Sequence, residues 1–275
     1  MDFRLVADSC CEPVPALTEG TDFISVPLSM TVDGETWQDD GQLNITRFLR
    51  QMNASKSRVM SSCPPPQAYA DAYRTEGDKP IFVVTLSSQL SGSYSSAVTA
   101  IQLTEQENIH VIDSKSASAG EILLALKIRE FAQEYSDPAD VLWAAEAFRD
   151  KMQTLFVLEN LENLQKSGRM SKIVAKLATV MQIRPILGSD GEGNIASFAK
   201  TRGTRAAVDR ICEMIGERGG ERKHTLVITH CNNEPEARRL AEMARVRYAF
   251  RQIVVARTGG LSSMYANQGG IIAAF

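Results

Sequence analysis

The sequence lacks the features of several large protein classes. Its 275 residues include only five cysteines and three histidines, with no C-x-x-C pair and no metal-ligand spacing. A disulfide framework and a structural zinc site are therefore not expected. The formal net charge of −3 at pH 7 offers no basic surface for nucleic acid. We expect no metal, no cofactor and no nucleic-acid partner.

Long hydrophobic runs are also missing. No apolar run reaches the roughly 18 residues that a membrane-spanning helix needs, and the first residues, MDFRLVADS, do not form a signal-peptide pattern. We therefore expect a cytoplasmic protein without stable membrane insertion. The hydrophobic content of 44% and the charged content of 23% are ordinary for a folded globular protein.

A hydroxyl-rich segment, TLSSQLSGSYSSA at 85–97, follows a short apolar run and leads into a helical pattern. A helix N-terminus has backbone N–H groups without intrahelical partners, and it carries a partial positive charge. Gly92 lets the backbone approach a ligand closely, and the serines, Ser91 among them, add short donors. The segment predicts a site for a carboxylate or a phosphate. The alternative is a serine-capped turn that binds nothing.

Four predicted strands end at serine or aspartate: Asp8-Ser9, Ser61-Ser62, Ser87-Ser88 and Asp113-Ser114. Strands alternate with helices in this part of the chain, which predicts a mainly parallel sheet. Ligands of open α/β sheets lie beyond the carboxyl ends of the strands. We therefore expect these four loops to share one crevice.

The pattern changes near residue 151. The second part predicts a helix at 204–218, a strand at 225–229, a helix at 235–248, a strand at 252–256 and a loop at 259–270. We expect an α/β domain over 1–150 and an α+β domain over 151–275.

Several of these segments together resemble the DegV family of bacterial fatty-acid-binding proteins. The resemblance lies in Asp8-Ser9, SSCP at 61–64, SSQLSGSY at 87–94, IDSKSASAG at 112–120 and LENLQKSGRMS at 161–171. It implies a two-domain carrier with one long-chain fatty acid between its domains. Hydroxyls would hold the carboxylate, the tail would enter an apolar tunnel, and a separate ATP-dependent fatty-acid kinase would convert the carboxyl group to an acyl phosphate.

The resemblance also implies roles for individual residues. Ser61 takes the position of the family's carboxyl-binding threonine and Ser91 that of its serine, with Ser62 and Gly92 beside them. Tyr265 stands in place of the carboxyl-binding histidine; its O–H can donate the same hydrogen bond but is neutral near pH 7.

The resemblance also suggests residues that would contact the fatty-acid tail, lie at the mouth of the ligand site or contact the kinase. Arg169 is expected at the ligand mouth or at a docking surface for the kinase, and Arg202 at that docking surface. Cys63 replaces the usual glutamine of the family. The expected tail residues are the apolar face of a helix at 171–183 together with Ile24, Val26, Leu28 and Ile271. Their alternative role is that of ordinary core residues.

Two other functions remain open at this point. A serine-dependent hydrolase acting on a small acyl ester would use a serine nucleophile, but the sequence has no G-x-S-x-G elbow, and His230 is its one candidate base. A phosphate-ligand module is less well supported, because neither G-x-x-x-x-G-K-[ST] nor G-x-G-x-x-G occurs.

Overall fold

The computed structural model describes residues 1–75, 77–170, 183–219 and 224–275. The strands of these ranges are Arg4–Asp8 (β1), Asp22–Val26 (β2), Ser29–Val32 (β3), Glu35–Gln38 (β4), Met60–Ser62 (β5), Ile81–Thr85 (β6), Ile109–Asp113 (β7), Thr154–Val157 (β8), Ile183–Ser189 (β9), Ile195–Arg202 (β10), Thr225–His230 (β11), Gln252–Arg257 (β12) and Ile271–Ala274 (β13). The α-helices are Pro15–Thr18 (α1), Ile45–Ala54 (α2), Pro66–Tyr73 (α3), Ser93–Ala100 (α4), Ala119–Glu134 (α5), Pro138–Arg149 (α6), Glu162–Ser167 (α7), Gly203–Arg218 (α8), Glu234–Arg247 (α9) and Gly260–Ala266 (α10).

The first part of the chain forms a four-stranded sheet in the order β2-β1-β6-β7, with all pairs parallel. The apolar run of β6 is buried along its whole length, as expected for a strand covered on both faces. Its side chains alternate: Phe82 and Val84 pack towards α5, whereas Ile81 and Val83 pack towards α3 and α4. The predicted α/β fold with a mainly parallel first sheet is confirmed.

A small antiparallel sheet, β4-β3-β5, lies beside the parallel one and was not expected. The sequence predicts a single extended segment at 23–32, but the structure divides it into β2 and β3. Pro27 lies between them and has no N–H with which to continue the ladder. The division places Ser61 and Ser62 of β5 next to β3, where they reach the cavity described below.

The second part of the chain forms a six-stranded mixed sheet in the order β10-β9-β8-β13-β11-β12. Leu155, Val157 and Ile271 point to the face covered by α8 and α9, whereas Phe156 and Ile272 point to the opposite face. That opposite face contacts α5 and lines the cavity.

Helix α5 joins the two parts of the molecule. Its Ile122 and Leu123 belong to one core cluster that also contains Val227 and Ile272 of the six-stranded sheet. All strands of the four-stranded sheet precede residue 151, and all strands of the six-stranded sheet follow it. The division into two domains at this residue stays a prediction. No helix among the described residues is both long and apolar enough to cross a bilayer.

Candidate functional site

A cavity of about 380 Å³ lies between the small antiparallel sheet, the loops after β6 and β7, and the free face of β8 and β9. Two groups of side chains stand out around it, one rich in hydroxyls and one largely apolar, and further polar residues described below also line it. We call the two groups the hydroxyl wall and the apolar wall. The hydroxyl wall consists of Ser61, Ser62, Cys63, Ser91, Gly92 and Tyr265, and the apolar wall consists of Cys10, Leu28, Leu86, Phe156, Leu158, Leu164, Ile195, Leu261 and Ile272.

The hydroxyl wall brings together residues that are far apart in the sequence. Ser61 Oγ on β5 and the phenolic oxygen of Tyr265 on α10 are 2.8 Å apart and share a hydrogen bond. All five residues expected at the carboxylate line the same cavity: Ser61, Ser62, Ser91, Gly92 and Tyr265. Their contact with a ligand stays a prediction.

The loop before α4 fixes the position of Ser91. The N–H groups of Leu90 and Ser91 both donate to the carbonyl oxygen of Ser87, at 2.9 and 3.0 Å. The Ser91 Oγ accepts from the N–H of Ser93 at 3.2 Å, at the first turn of the helix. A Cβ added at Gly92 would lie 3.1 Å from Cys63 Sγ, so glycine allows the two loops to come this close.

The four strand ends contribute unequally to the cavity. The end of β5 lines it directly. The loops after β6 and β7 line it through Leu86, through 90–92 and through 115–118, but the predicted Ser87-Ser88 and Asp113-Ser114 are not among the lining residues. Asp8 instead lies behind the wall, fully buried, where its carboxylate accepts the N–H groups of Cys10 and Leu86 at 3.1 and 2.9 Å. Its role is to hold the loop after β6.

The apolar wall corrects part of the predicted tail site. Leu28 lines the cavity as expected, but Ile24, Val26 and Ile271 do not. Side chains alternate along a strand, so Ile24 and Val26 share the face of β2 that packs on α3, and Ile271 points towards α8 while Ile272 lines the cavity. The helix predicted at 171–183 lies outside the described residues up to position 182.

The two arginines are placed differently. Gly168, with φ of 77°, ends α7 in the left-handed conformation, and the chain then turns Arg169 into the cavity lining. The Arg169 guanidinium donates to the carbonyl oxygens of Leu90 at 3.3 Å and Ser167 at 2.9 Å. Arg202 is exposed at the end of β10 and is not among the lining residues.

Sequence reasoning missed several polar lining residues. Lys115 follows the strand end Asp113-Ser114, a position that could have drawn attention to it; its Nζ lies 3.3 Å from a carboxylate oxygen of Glu192. Three more, which belong to no recognised motif, come from β8, β9 and the turn after β9: Thr154, Ser189 and Asn194.

Buried carboxyl groups lie behind the cavity. Ser118 lines the cavity and donates from Oγ to the Glu12 carboxylate, with distances of 3.0 and 2.9 Å to its two oxygens. Burial raises the pKa of Glu12 to about 7 and the pKa of Asp8 to about 6. Burial, together with the nearby Asp8, raises the pKa of Glu121 well above its usual range.

The residues expected of a serine hydrolase do not come together here. No histidine is among the described residues that line the cavity. His230 is buried at the end of β11, where its Nδ1 accepts the N–H of Asn233 at 3.2 Å, and burial lowers its pKa. Within the described ranges, no group of three or more His, Cys, Asp or Glu side chains is arranged to hold a metal ion.

A family model and a curated relative both match nearly the full length of the chain. A family model described as "Uncharacterised protein, DegV family" matches residues 2–274. A DegV domain-containing protein of Streptococcus pneumoniae is 33% identical over 283 residues, covering 99% of this chain and 98% of that relative.

Two solved structures are similar in both sequence and fold. One is a DegV family protein from Ruminococcus gnavus with vaccenic acid, with 33% identity, a TM-score of 0.93 and coverage of 99% of each chain. The other is the Streptococcus pneumoniae Fatty Acid Kinase (Fak) B3 protein loaded with linoleic acid, with 32% identity, a TM-score of 0.92, and coverage of 100% of this chain and 99% of that one.

Proposed function

Because the chain belongs to the DegV family, we propose that it is a non-catalytic carrier that binds one long-chain fatty acid in the cavity between its sheets. The observation that carries the proposal is the hydroxyl pair of Ser61 and Tyr265, which lines the same cavity as Ser91 and as the residues of the apolar wall. Solved structures of similar sequence hold vaccenic and linoleic acid.

The hydroxyl wall has the chemistry that an ionised carboxyl group needs. A carboxylate accepts hydrogen bonds and donates none. Within the Ser61–Tyr265 pair one hydroxyl donates to the other, which leaves one O–H of the pair for the ligand beside the hydroxyl of Ser91. The Arg169 guanidinium adds a positive charge in the same cavity. A methyl ester keeps the tail but loses the charge, so this wall should distinguish a fatty acid from its ester.

The apolar wall supplies most of the affinity. Each buried methylene contributes roughly 0.8 kcal/mol, so a tail of about 16 carbons gains on the order of 10 kcal/mol before the costs of association and ordering. The hydroxyl wall then sets which end of the ligand faces Tyr265 rather than how tightly the tail is held.

We also propose that the bound acid is presented to a separate ATP-dependent fatty-acid kinase, which forms the acyl phosphate. One similar structure is that of a protein named Fatty Acid Kinase (Fak) B3, which supports a kinase partner. Arg169 at the cavity and the exposed Arg202 are the proposed contacts with that kinase. A carrier that meets an ATP-dependent enzyme is expected in the cytoplasm, where ATP is present.

The proposal is tested by native mass spectrometry and by ligand titration. Freshly purified protein should carry one long-chain acid, and delipidated protein should take up added oleate. Ser91→Ala should weaken binding of the acid more than binding of its methyl ester, and Ser95→Ala, at an exposed serine of α4, is the matched control. Protein that is consistently empty and refuses added acids would contradict the proposal. Ester hydrolysis that disappears in both Ser91→Ala and His230→Ala would favour a hydrolase instead.

A further inference from the structure

The helix that carries Tyr265 is held at its start by side chains from the other half of the molecule. This segment, 259–270, was predicted as a loop, but the structure contains helix α10, Gly260–Ala266. The residue before it, Gly259, has no side chain to cap the first turn. The free N–H groups donate instead to distant carboxylates: Gly260 to Asp39 Oδ1 at 2.6 Å, Leu261 to Asp39 Oδ2 at 2.9 Å, and Gly259 to Glu12 Oε1 at 3.1 Å.

Asp39 also holds the cavity wall. It directly follows β4 and is only 6% exposed. Its N–H donates to the carbonyl oxygen of Leu28 at 2.9 Å. Its Oδ2 accepts from Ser9 Oγ at 2.9 Å, and Ser9 Oγ in turn accepts the N–H of Leu28 at 3.1 Å. One carboxylate therefore connects the start of α10 to the backbone of a residue that lines the cavity.

The close approach of Asp39 to the start of α10 depends on the glycine at position 260. A Cβ added at Gly260 would lie 2.6 Å from Asp39 Oδ1 and 2.2 Å from Leu43 Cδ2, so any larger residue would push the carboxylate or the helix away. A carboxylate is also the side chain best suited to this place. It accepts with both oxygens, and its charge is favourable beside a helix N-terminus.

The helix is short, so a change at its start reaches Tyr265. Tyr265 is five positions after Gly260, which corresponds to about 7.5 Å along an α-helix. The other end is held by Asn163 Nδ2, which donates to the carbonyl oxygen of Met264 at 2.7 Å, and by the side chains of Asn53 and Asn267, which exchange hydrogen bonds of 3.1 and 3.3 Å. A shift or rotation of the first turn would therefore change the 2.8 Å contact between Tyr265 and Ser61.

We infer that Asp39 is a positioning residue for the carboxylate site: it fixes the start of the Tyr265 helix and thereby aligns the Tyr265 and Ser61 hydroxyls. This inference rests on the proposed fatty-acid carrier function, and it adds a residue outside the cavity lining. Asp39 itself touches no ligand.

The test is a double-mutant cycle of Asp39→Asn and Tyr265→Phe, with the dissociation constants of oleic acid and methyl oleate as the readout. Asparagine keeps the shape of aspartate but offers one acceptor and places an NH₂ group against a helix N–H. We expect Asp39→Asn to weaken binding of the acid by about 5- to 10-fold, which corresponds to about 1 to 1.4 kcal/mol, and binding of the ester by less than about 2-fold. In the Tyr265→Phe background the same substitution should add almost nothing.

Asp40→Asn is the matched control, because it removes a carboxylate one residue away that is exposed and accepts the nearby N–H of Gln42 at 2.9 Å. It should leave both dissociation constants unchanged. If Asp39→Asn is too unstable to purify, Ser9→Ala removes one donor to the same carboxylate and should give a smaller loss with the same dependence on Tyr265.

The outcomes separate this inference from the function on which it rests. A wild-type protein that binds no fatty acid contradicts the carrier function itself. If the wild type binds, then additive effects of the two substitutions, equal losses for acid and ester, or an unchanged affinity in Tyr265→Phe would overturn the positioning role of Asp39 while leaving the carrier function standing.

Discussion

The two walls of the cavity are built in different ways. The hydroxyl wall combines Ser61 and Ser62 at the end of β5, the loop before α4 and Tyr265 near the end of α10, and local backbone hydrogen bonds fix the position of Ser91. The apolar wall includes strand side chains such as Phe156 and Ile272, whose positions depend on which face of the six-stranded sheet meets the cavity, together with loop and helix residues such as Leu28. We expect the apolar wall to set how tightly any long ligand binds and the hydroxyl wall to set which chemical group is accepted.

The largest predicted effect concerns the buried carboxyl groups behind the cavity, because their titration changes the stability of the whole fold. The folded-state pKa values of Asp8 and Glu12, about 6 and about 7, exceed the unfolded values of 3.8 and 4.5. The folded protein therefore binds more protons than the unfolded protein between about pH 4 and pH 7. Its free energy of unfolding consequently falls as the pH rises through this window. The loss is on the order of 3 kcal/mol for each carboxyl group.

Urea unfolding of the ligand-free protein at pH 5 and pH 8 measures the part of this loss that falls between the two pH values. Glu12→Gln should reduce the difference between them without abolishing it, because Glu12 no longer titrates whereas Asp8 and Glu121 still do. The exposed Glu19→Gln serves as the control and should leave the difference unchanged. A free energy of unfolding that stays level or increases from pH 5 to pH 8 would show that these carboxyls are not buried as described.

A bulky side chain on the apolar side should have the next largest effect. Ala117 lines the cavity and packs against its apolar cluster. Ala117→Trp should exclude the space of about four methylenes, a loss of about 3 kcal/mol or on the order of 100-fold in affinity. Oleic acid and methyl oleate should lose affinity equally.

Val98→Trp is the control for this substitution, because Val98 is 40% exposed on α4 and is absent from the cavity lining. It should bind both ligands as the wild type does. Unchanged binding in Ala117→Trp would mean that the tail lies elsewhere, and a loss confined to the acid would remove the distinction between the two walls.

Removing one hydroxyl should have a smaller and more selective effect. Ser91→Ala deletes one donor to a charged acceptor, and we expect about a 10-fold loss for the acid and little change for the ester. Isothermal titration with the two ligands checks this, with Ser95→Ala as the control. Equal losses for both ligands would mean that Ser91 does not contact the carboxylate.

The smallest predicted effect concerns Tyr265. Tyr265→His places a group that is partly protonated near pH 6 beside the carboxylate, so affinity for the acid should rise by about 3-fold at pH 6 relative to pH 8. The wild type, with a neutral phenol, should change less over the same interval. The ratio of dissociation constants at the two pH values is the measurement, and the same ratio in both proteins would contradict a carboxylate next to Tyr265.

The hydroxyl wall was largely predictable from the sequence. Ser61, Ser62, Ser91 and Gly92 lie at the end of β5 or just before α4, where local patterns already indicated a strand end and a helix start. Tyr265, near the end of α10, could be assigned only through the family resemblance. The regular elements of the second part were predictable for the same local reasons. The helix expected at 204–218 is Gly203–Arg218, and the strand expected at 225–229 is Thr225–His230.

The sequence did not allow us to predict which residues form the apolar wall or which side chains hold the start of α10. Ile271 and Ile272 are equally apolar neighbours, and only the pairing of β13 with β8 and β11 decides which of them meets the cavity. Likewise, the segment 259–270 has loop-like composition, with glycine at both ends. It forms a helix in the company of Asp39 and Glu12, contacts across more than 200 residues that no local pattern reveals.

A crystal structure of the protein with bound oleic acid would test the central claim most directly. The account predicts one elongated ligand between the two walls, with its carboxylate oxygens within hydrogen-bond distance of Ser61, Ser91 or Tyr265 and its tail along Leu28 and Phe156. A reversed ligand with its carboxylate at Lys115, or a ligand bound outside this cavity, would contradict it.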